Sequence, residues 1–381
     1  MIYKNFKSLK LSAIGMGAMR LPVTGSDANS PIDEAETEKM VGYAIENGVN
    51  YFDTAWGYHG GKSEAVMGNA LKKYPRESWY LADKFPGYDL SNMDKVKEIF
   101  EEQLKRCGVE YFDFYFVHNV CELNIDAYLD KKYGIYDYLV KQKQNGRIKY
   151  LGFSAHGNCE VMRRFLKVYG GAMEFCQIQL NYIDWTLQSA KEKLDLLKKN
   201  NIPVWVMEPM RGGQLASLSE ENAAKLKASR PDETIPAWSF RFIQSLTDAD
   251  IIVTLTGASS FEQLKDNIKT YREEKPLNQA ELKVLTGVAE NMMSQKATLP
   301  CTACRYCAGY CPLELDIPHL LSLYNDHNFT GGGFLAAMAL QALPEEKLPQ
   351  SCASCRKCEE VCPQQIKISE AMADFAAKTN K

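Results

Sequence analysis

From the N-terminus to about residue 272, short runs of β-branched and aromatic residues alternate with longer stretches whose apolar positions recur every three or four residues. The short runs fall at 11–15, 49–53, 79–84, 112–118, 149–154, 175–180, 204–207 and 251–255. Helical periodicity marks 33–47, 94–107, 185–199 and 261–268 among the stretches around them. Strand alternating with helix implies βαβ units on a parallel sheet. Eight such units in about 270 residues match the size of a (β/α)8 TIM barrel. A doubly wound open sheet carries the same local pattern, because periodicity does not report whether a sheet closes.

Beyond residue 280 the pattern changes. Positions 278–294 read as a connecting helix, and helical pieces at 318–325, 334–342 and 368–377 follow without strand-like alternation. The expected division is a barrel over 1–280 and a small, mostly α-helical domain over 281–381. Two glycine-rich stretches offer no phosphate cradle. Gly15-Met16-Gly17 lacks the third glycine and the following helix of a dinucleotide fingerprint, and Gly331-Gly332-Gly333 lies far from any strand. Both are expected to be turns.

Composition mainly excludes. Of 381 residues, 45% are apolar and 24% charged, which supplies a core and rules out a disordered or fibrous chain. A net charge of −3 makes no electrostatic case for nucleic acid or an anionic membrane as partner. No run approaches the ~20 apolar residues of a membrane span. Residues 1–11 alternate Lys with apolar positions instead of forming a signal-peptide core. A cytoplasmic location is the expectation.

The cysteines break this ordinary picture. Twelve are present, and eight of them fall in two groups near the C-terminus: Cys301-x2-Cys304-x2-Cys307-x3-Cys311-Pro312 and Cys352-x2-Cys355-x2-Cys358-x3-Cys362-Pro363. Each is the C-x2-C-x2-C-x3-C-P run of bacterial two-cluster ferredoxins. Three thiolates at that spacing can wrap one cubane while the fourth is held off toward the other. This assigns Cys301, Cys304, Cys307 and Cys362 to one [4Fe–4S] cluster and Cys352, Cys355, Cys358 and Cys311 to a second. A pair of zinc sites is the alternative, but zinc motifs usually use two separated pairs. Cys107, Cys121, Cys159 and Cys176 show no partner spacing and read as ordinary buried residues.

In the barrel, polar residues stand at or just after the C-terminal ends of three successive expected strands, where barrel active sites are built. Asp53 ends the second and Tyr58 follows in its loop, Lys84 ends the third, and His118 ends the fourth. Singly, each has a bland reading as helix cap, packing, solvated cation or satisfied core histidine. The stretch 48–64, taken with Lys84 and His118, resembles the aldo-keto reductase superfamily and its Asp–Tyr–Lys–His tetrad, over about residues 1–272. The tail extends the likeness to a branch carrying a C-terminal ferredoxin-like domain with two [4Fe–4S] clusters.

That resemblance implies roles. Tyr58 would donate a proton to a carbonyl oxygen as hydride arrives at carbon. Lys84 would lower the phenol's pKa, Asp53 would hold Lys84, and His118 would position the carbonyl. Ser154 and Gln177 match the residues that hold a nicotinamide carboxamide. The usual Asn after that serine is Ala155 here, followed by His156. Met207 falls where a ring-stacking aromatic is expected. Asn267 matches the asparagine of the adenosine-phosphate loop, whereas Gly257 and Gln263 stand where NADP-specific members place Lys and Arg. NADH is then at least as suitable as NADPH, since a 2′-phosphate would lack charge-assisted partners. Trp56, Trp185 and Met210 are candidates to line a substrate pocket. The implied activity interconverts a small carbonyl and an alcohol, with the clusters passing electrons to or from the barrel or a partner such as a ferredoxin or flavodoxin. Two alternatives are a conventional nicotinamide reductase with structural clusters and an electron-transfer module with an idle barrel site.

Overall fold

The computed structural model describes residues 1–25, 27 and 30–379. An antiparallel hairpin, β1 (Tyr3–Phe6) and β2 (Leu9–Ser12), precedes eight parallel strands. These are β3 (Ile14–Gly17), β4 (Tyr51–Asp53), β5 (Tyr80–Phe85), β6 (Phe112–Val120), β7 (Ile148–Ala155), β8 (Cys176–Gln179), β9 (Val204–Met207) and β10 (Ile251–Thr256). They pair in sequence order and β10 returns to β3, so the barrel is closed and the open sheet is excluded.

The first expected strand, 11–15, is divided between the hairpin and β3. The hairpin carries Phe6 and Leu11 into a buried cluster with Tyr51, Phe114, Phe175, Trp205 and Val253. The Phe6 ring lies edge-on to Trp205 at 5.0 Å and to Tyr150 at 5.1 Å. These partners lie at or near the N-terminal ends of their strands, so apolar burial at that end leaves the opposite end for polar chemistry. Gly15 and Gly17 are not turn residues but lie within β3. A Cβ at Gly15 would come within 2.7 Å of the Tyr51 ring and 2.9 Å of Val253. Crowding inside the barrel, not a turn, requires glycine there.

Several helices follow the expected pattern. Glu34–Glu46 is capped by the Asp33 carboxylate, which accepts from Glu36 N at 2.9 Å. Val96–Cys107 ends on Gly108 at φ +64°, a left-handed C-terminal stop. The continuous helix expected over 185–199 does not form. Asp184–Leu187 and Ala190–Lys199 are separate, with Ser189 between them at φ +51°.

The chain makes two compact units, one of Met1–Tyr182 with Ala190–Val284 and the other of Ile183–Ser189 with Leu285–Lys381. The broken helix straddles that division. Within the second unit, Gln188 Nε2 donates to Asp326 Oδ1 at 2.9 Å and Ser322 Oγ donates to the Leu187 carbonyl at 3.2 Å. Helices Ile317–Thr330, Phe334–Gln341 and Ile368–Thr379 build that unit, and no strand occurs in it among the described residues. Its core combines Leu320, Leu321, Ile366, Ile368, Met372 and Phe375 with Cys307 and Cys358. Gly331, the first of the three glycines, ends Ile317–Thr330 at φ +72°. None of the described helices is long and apolar enough to cross a membrane.

Candidate active site and cysteine hollows

Parallel register places Asp53 beside Ala82 and Lys84 beside Phe116. Lys84 thereby reaches into the barrel, where its Nζ lies 2.5 Å from Asp53 Oδ1 and donates to the Thr54 carbonyl at 2.6 Å. Gln177, on β8, donates from Nε2 to Asp53 Oδ2 at 3.2 Å. The Asp53 carboxylate thus receives a bond on each oxygen. Tyr58 follows β4 in a tight turn in which His59 and Gly60 adopt left-handed φ of 51° and 64°. This brings Tyr58 to Lys84, whose ammonium is 5.2 Å from the Tyr58 ring centre and lowers the phenol's pKa.

His118 completes the grouping because β6 is irregular there. The β6–β7 register shifts between Val117 and Val120, and Asn119 has φ +57°. Ser154 Oγ accepts from the displaced Asn119 N–H at 2.8 Å, which fixes the bulge. The imidazole of His118 lies 6.4 Å from the Tyr58 ring, 5.4 Å from Tyr88 and 6.1 Å from His156, centre to centre. Its Nδ1 and the Nε2 of His156 are buried without hydrogen-bond partners among the described residues.

Burial and charge set the protonation states. Burial, then the charges of Lys84 and His156, hold His118 well below the ordinary imidazole range. Burial, Lys193 and Lys84 push His156 down to about 3. Both rings are therefore neutral at pH 7. The expected lowering of Tyr58 is only part of the balance. Burial raises the phenol above its ordinary value of 10.0, and the opposing pull of Lys84 is smaller. Burial is also the largest influence on Lys84 and disfavours its charge, but Asp53 and Tyr58 outweigh it and the ammonium is held above its ordinary value.

The other expected residues are dispersed around the strand ends. Ser154 and Gln177 are adjacent in register and already hydrogen-bonded as described. Met207 ends β9, half-buried. Asn267 is buried and donates to Thr256 Oγ1 at 2.8 Å, and Gln263 Oε1 accepts from Ser259 N at 2.9 Å. Gly257 is open, and the nearest atom to a Cβ built there is a guanidinium nitrogen of Arg20 at 4.0 Å. Arg20 pairs with Glu208 at 3.2 Å. The loop from Gly257 leads into helix Phe261–Thr270, capped by Ser260. Trp56 is covered by the Arg106 guanidinium, 3.8 Å from its ring. Trp185 belongs to the second unit. Arg20, Tyr88, Gln103 and Arg106 carried no sequence signal, since each acquires its place only through contacts far along the chain.

In the second unit the two cysteine runs interleave. One hollow, of about 370 Å³ empty volume, is lined by Cys352, Cys355 and Cys358 together with Cys311. The other, of about 320 Å³, is lined by Cys301, Cys304 and Cys307 together with Cys362. Both runs repeat the same backbone: Ala303 and Ser354, Arg305 and Arg356, and Glu314 and Gln365 all have positive φ. No cysteine is in a disulfide, and Cys107, Cys121, Cys159 and Cys176 are buried. Thiolate sets around a hollow, rather than a single ion position, fit the donor chemistry of cubane clusters.

Comparison with known proteins agrees with both halves. Residues 13–290 match the aldo/keto reductase family, and residues 300–367 match a 4Fe-4S dicluster domain. An NADH-specific methylglyoxal reductase of Escherichia coli is 24% identical over 303 residues, covering 68% of this chain and 90% of that protein. A Glycine max aldo-keto reductase is 28% identical over 215 residues, but the match covers 54% of this chain and only 58% of that protein. The solved holo form of a Bacillus halodurans aldo-keto reductase has a TM-score of 0.60 and 24% identity, covering 76% of this chain and 96% of that one. An aldo-keto reductase from Klebsiella pneumoniae in complex with NADPH gives 0.59 at 18% identity, covering 76% and 96%. At these identities the solved structures show the fold.

Proposed function

The chain belongs to the aldo/keto reductase family and is an oxidoreductase with a 4Fe-4S dicluster domain, and on that premise we propose that it interconverts a small carbonyl and an alcohol with Tyr58 as proton donor. The observation that carries this reading is the buried Lys84 ammonium, bonded to the Asp53 carboxylate and 5.2 Å from the Tyr58 ring centre. Tyr58–OH is protonated at neutral pH and gives its proton to the developing alkoxide. Lys84 stabilises the phenolate left behind, at a site where low dielectric makes its charge effective. Asp53 and the Thr54 carbonyl hold that ammonium in place. His118, neutral, orients the carbonyl oxygen without competing as a cation.

A nicotinamide, when bound, would supply hydride to the carbonyl carbon. Ser154, Gln177 and Met207 would receive its ring. The open backbone at Gly257, the nearby Arg20 guanidinium and the N-terminus of helix Phe261–Thr270 suit its diphosphate. The NADH specificity of the E. coli relative accords with the absence of cationic side chains at Gly257 and Gln263. Two [4Fe–4S] clusters, one per hollow with crossed fourth ligands, would supply one-electron chemistry, with a small carrier such as a ferredoxin or flavodoxin as exchange partner. A second reading, clusters as staples, is favoured by the burial of Cys307 and Cys358 inside the unit's core.

An anaerobic optical and EPR titration with NADH, NADPH and dithionite separates these readings. Cluster reduction by a nicotinamide supports electron exchange with the barrel. Reduction by dithionite alone, alongside nicotinamide-dependent carbonyl turnover, supports the staple. Absence of carbonyl turnover with either nicotinamide would remove the reductase reading.

A further inference from the structure

Behind the strand that carries Lys84 lies a second group of buried ionisable side chains with no part in the tetrad. Asp83 and Glu64 are fully buried and meet at one side-chain amide, that of Gln103. Asp83 Oδ1 accepts from the Lys84 backbone N–H at 2.8 Å, and the Cys107 thiol approaches Asp83 Oδ2 at 3.7 Å. Gln103 Nε2 stands 2.9 Å from Asp83 Oδ1, 3.0 Å from Glu64 Oε1 and 3.0 Å from the Lys84 carbonyl. Its Oε1 accepts from the Tyr115 hydroxyl at 2.5 Å. Arg106 donates to Glu64 Oε2 at 3.0 Å and covers Trp56, in the loop that leads to Tyr58. Gln103 and Arg106 are three positions apart on helix Val96–Cys107, a spacing that puts them on one face.

Charge counting decides the state of this group. Lys84 is already balanced by Asp53, and Arg106, which also bonds the partly exposed Glu102 at 3.2 Å, can balance at most one buried carboxylate. Two ionised carboxylates in contact away from water would leave one charge uncompensated, which a shared proton removes. Glu64 touches the cation, whereas Asp83 faces a thiol, an amide and a backbone N–H. Burial and the neighbouring Glu64 push the Asp83 carboxyl well above the usual range.

We propose that Asp83 and Glu64 share one proton, held on Asp83, and that this pair with Gln103 and Arg106 positions both Lys84 and the Tyr58 loop. Asp83 grips Lys84 through its backbone N–H and Gln103 through its carbonyl, and Arg106 ties the Tyr58 loop to the same helix. The positioning half rests on the Tyr58–Lys84 reading; the shared proton does not.

Infrared spectroscopy of the full-length protein at pH 7–8 tests the proton directly. A protonated-carboxyl carbonyl band is expected in the wild type and should vanish in Asp83→Asn, whose amide keeps both hydrogen bonds. Should that variant fail to fold, Glu64→Gln removes the same band by leaving Asp83 ionised. A wild type without the band overturns the shared proton.

The positioning role is read from the alkaline limb of carbonyl reduction. Asp83→Asn preserves the charge balance and should leave that limb unmoved. Glu64→Gln transfers the negative charge to Asp83, next to Lys84, which weakens the pull of Lys84 on Tyr58. Its limb should rise by about one pH unit. A limb that falls in Asp83→Asn, or stays put in Glu64→Gln, overturns the proposal. If Tyr58→Phe keeps wild-type turnover while the infrared band behaves as expected, the tetrad reading fails and the shared proton stands.

Discussion

The Lys84 ammonium lies 2.5 Å from the Asp53 carboxylate, with side-chain exposures of 0% and 2%. Two charges so placed are worth much less as a net contribution than the cost of separating them, because each alone would be a buried, unpaired ion. Asp53→Asn is therefore expected to destabilise the barrel by about 3–5 kcal/mol. The double variant Asp53→Leu/Lys84→Met should recover most of that loss. Denaturant unfolding followed by barrel fluorescence checks both. Additive losses in the double variant would show that the two groups are not energetically coupled.

Tyr58→Phe removes only a hydroxyl. Carbonyl reduction should fall about 10²–10⁴-fold, the usual worth of a general acid, with nicotinamide affinity nearly unchanged. Turnover of methylglyoxal or another reactive carbonyl is the assay, and retention of wild-type turnover would remove Tyr58 from the chemistry.

The pH dependence follows from the two buried groups. His118, held well below 6.5, stays neutral, so kcat/KM should be flat as pH passes through 6.5. Tyr58, raised above 10.0 by burial, stays protonated through neutrality, so activity should fall only as pH climbs above 10. Lys84→Met removes a cation that lowers the phenol and should move any remaining alkaline limb upward. An acid limb near 6.5 would mean that His118 is charged in the working enzyme.

Cofactor choice turns on the loop after β10. With Gly257 and Gln263 uncharged, NADH should bind at least as well as NADPH. Gln263→Arg should shift preference toward NADPH by roughly 1.5–3 kcal/mol through a charge-assisted pair. Calorimetric titration of both nucleotides measures this. A wild type that strongly prefers NADPH would point to Arg20, which reaches Gly257, as the missing cation.

Crossed ligation gives the cysteine tail its own test. Anaerobically prepared protein should carry about eight irons and eight sulfides per chain, with thiolate-to-iron absorption that bleaches on reduction. Cys362→Ala should damage the cluster held by Cys301, Cys304 and Cys307, and Cys311→Ala the other one. The barrel should keep its far-UV signal in both. Stoichiometric zinc without sulfide would end the electron-transfer reading.

Much of this was legible before any coordinates. Asp53, Lys84 and His118 stand at or within two residues of strand ends, and strand ends are visible in periodicity because side-chain alternation and helix spacing are local properties. The cysteine runs were clearer still, since the first three cysteines of each lie within seven residues of chain. The N-terminal hairpin is not visible in the sequence because 11–15 reads as one strand until Phe6 must cover the end of a closed barrel. The break at Ser189 was missed because helical periodicity runs straight through it, and packing within the second unit overrides it.

By itself, then, the sequence determined the alternation of strand and helix, the polar side chains near three strand ends and the spacing of the cysteine runs, because each depends on neighbours a few residues away. Barrel closure, the bulge that turns His118, the neutrality of that imidazole, the raised phenol of Tyr58 and the pairing of Asp83 with Glu64 were decided only in the tertiary structure. All of these depend on how far water is excluded and which charges meet, and both are settled by residues brought together from distant parts of the chain.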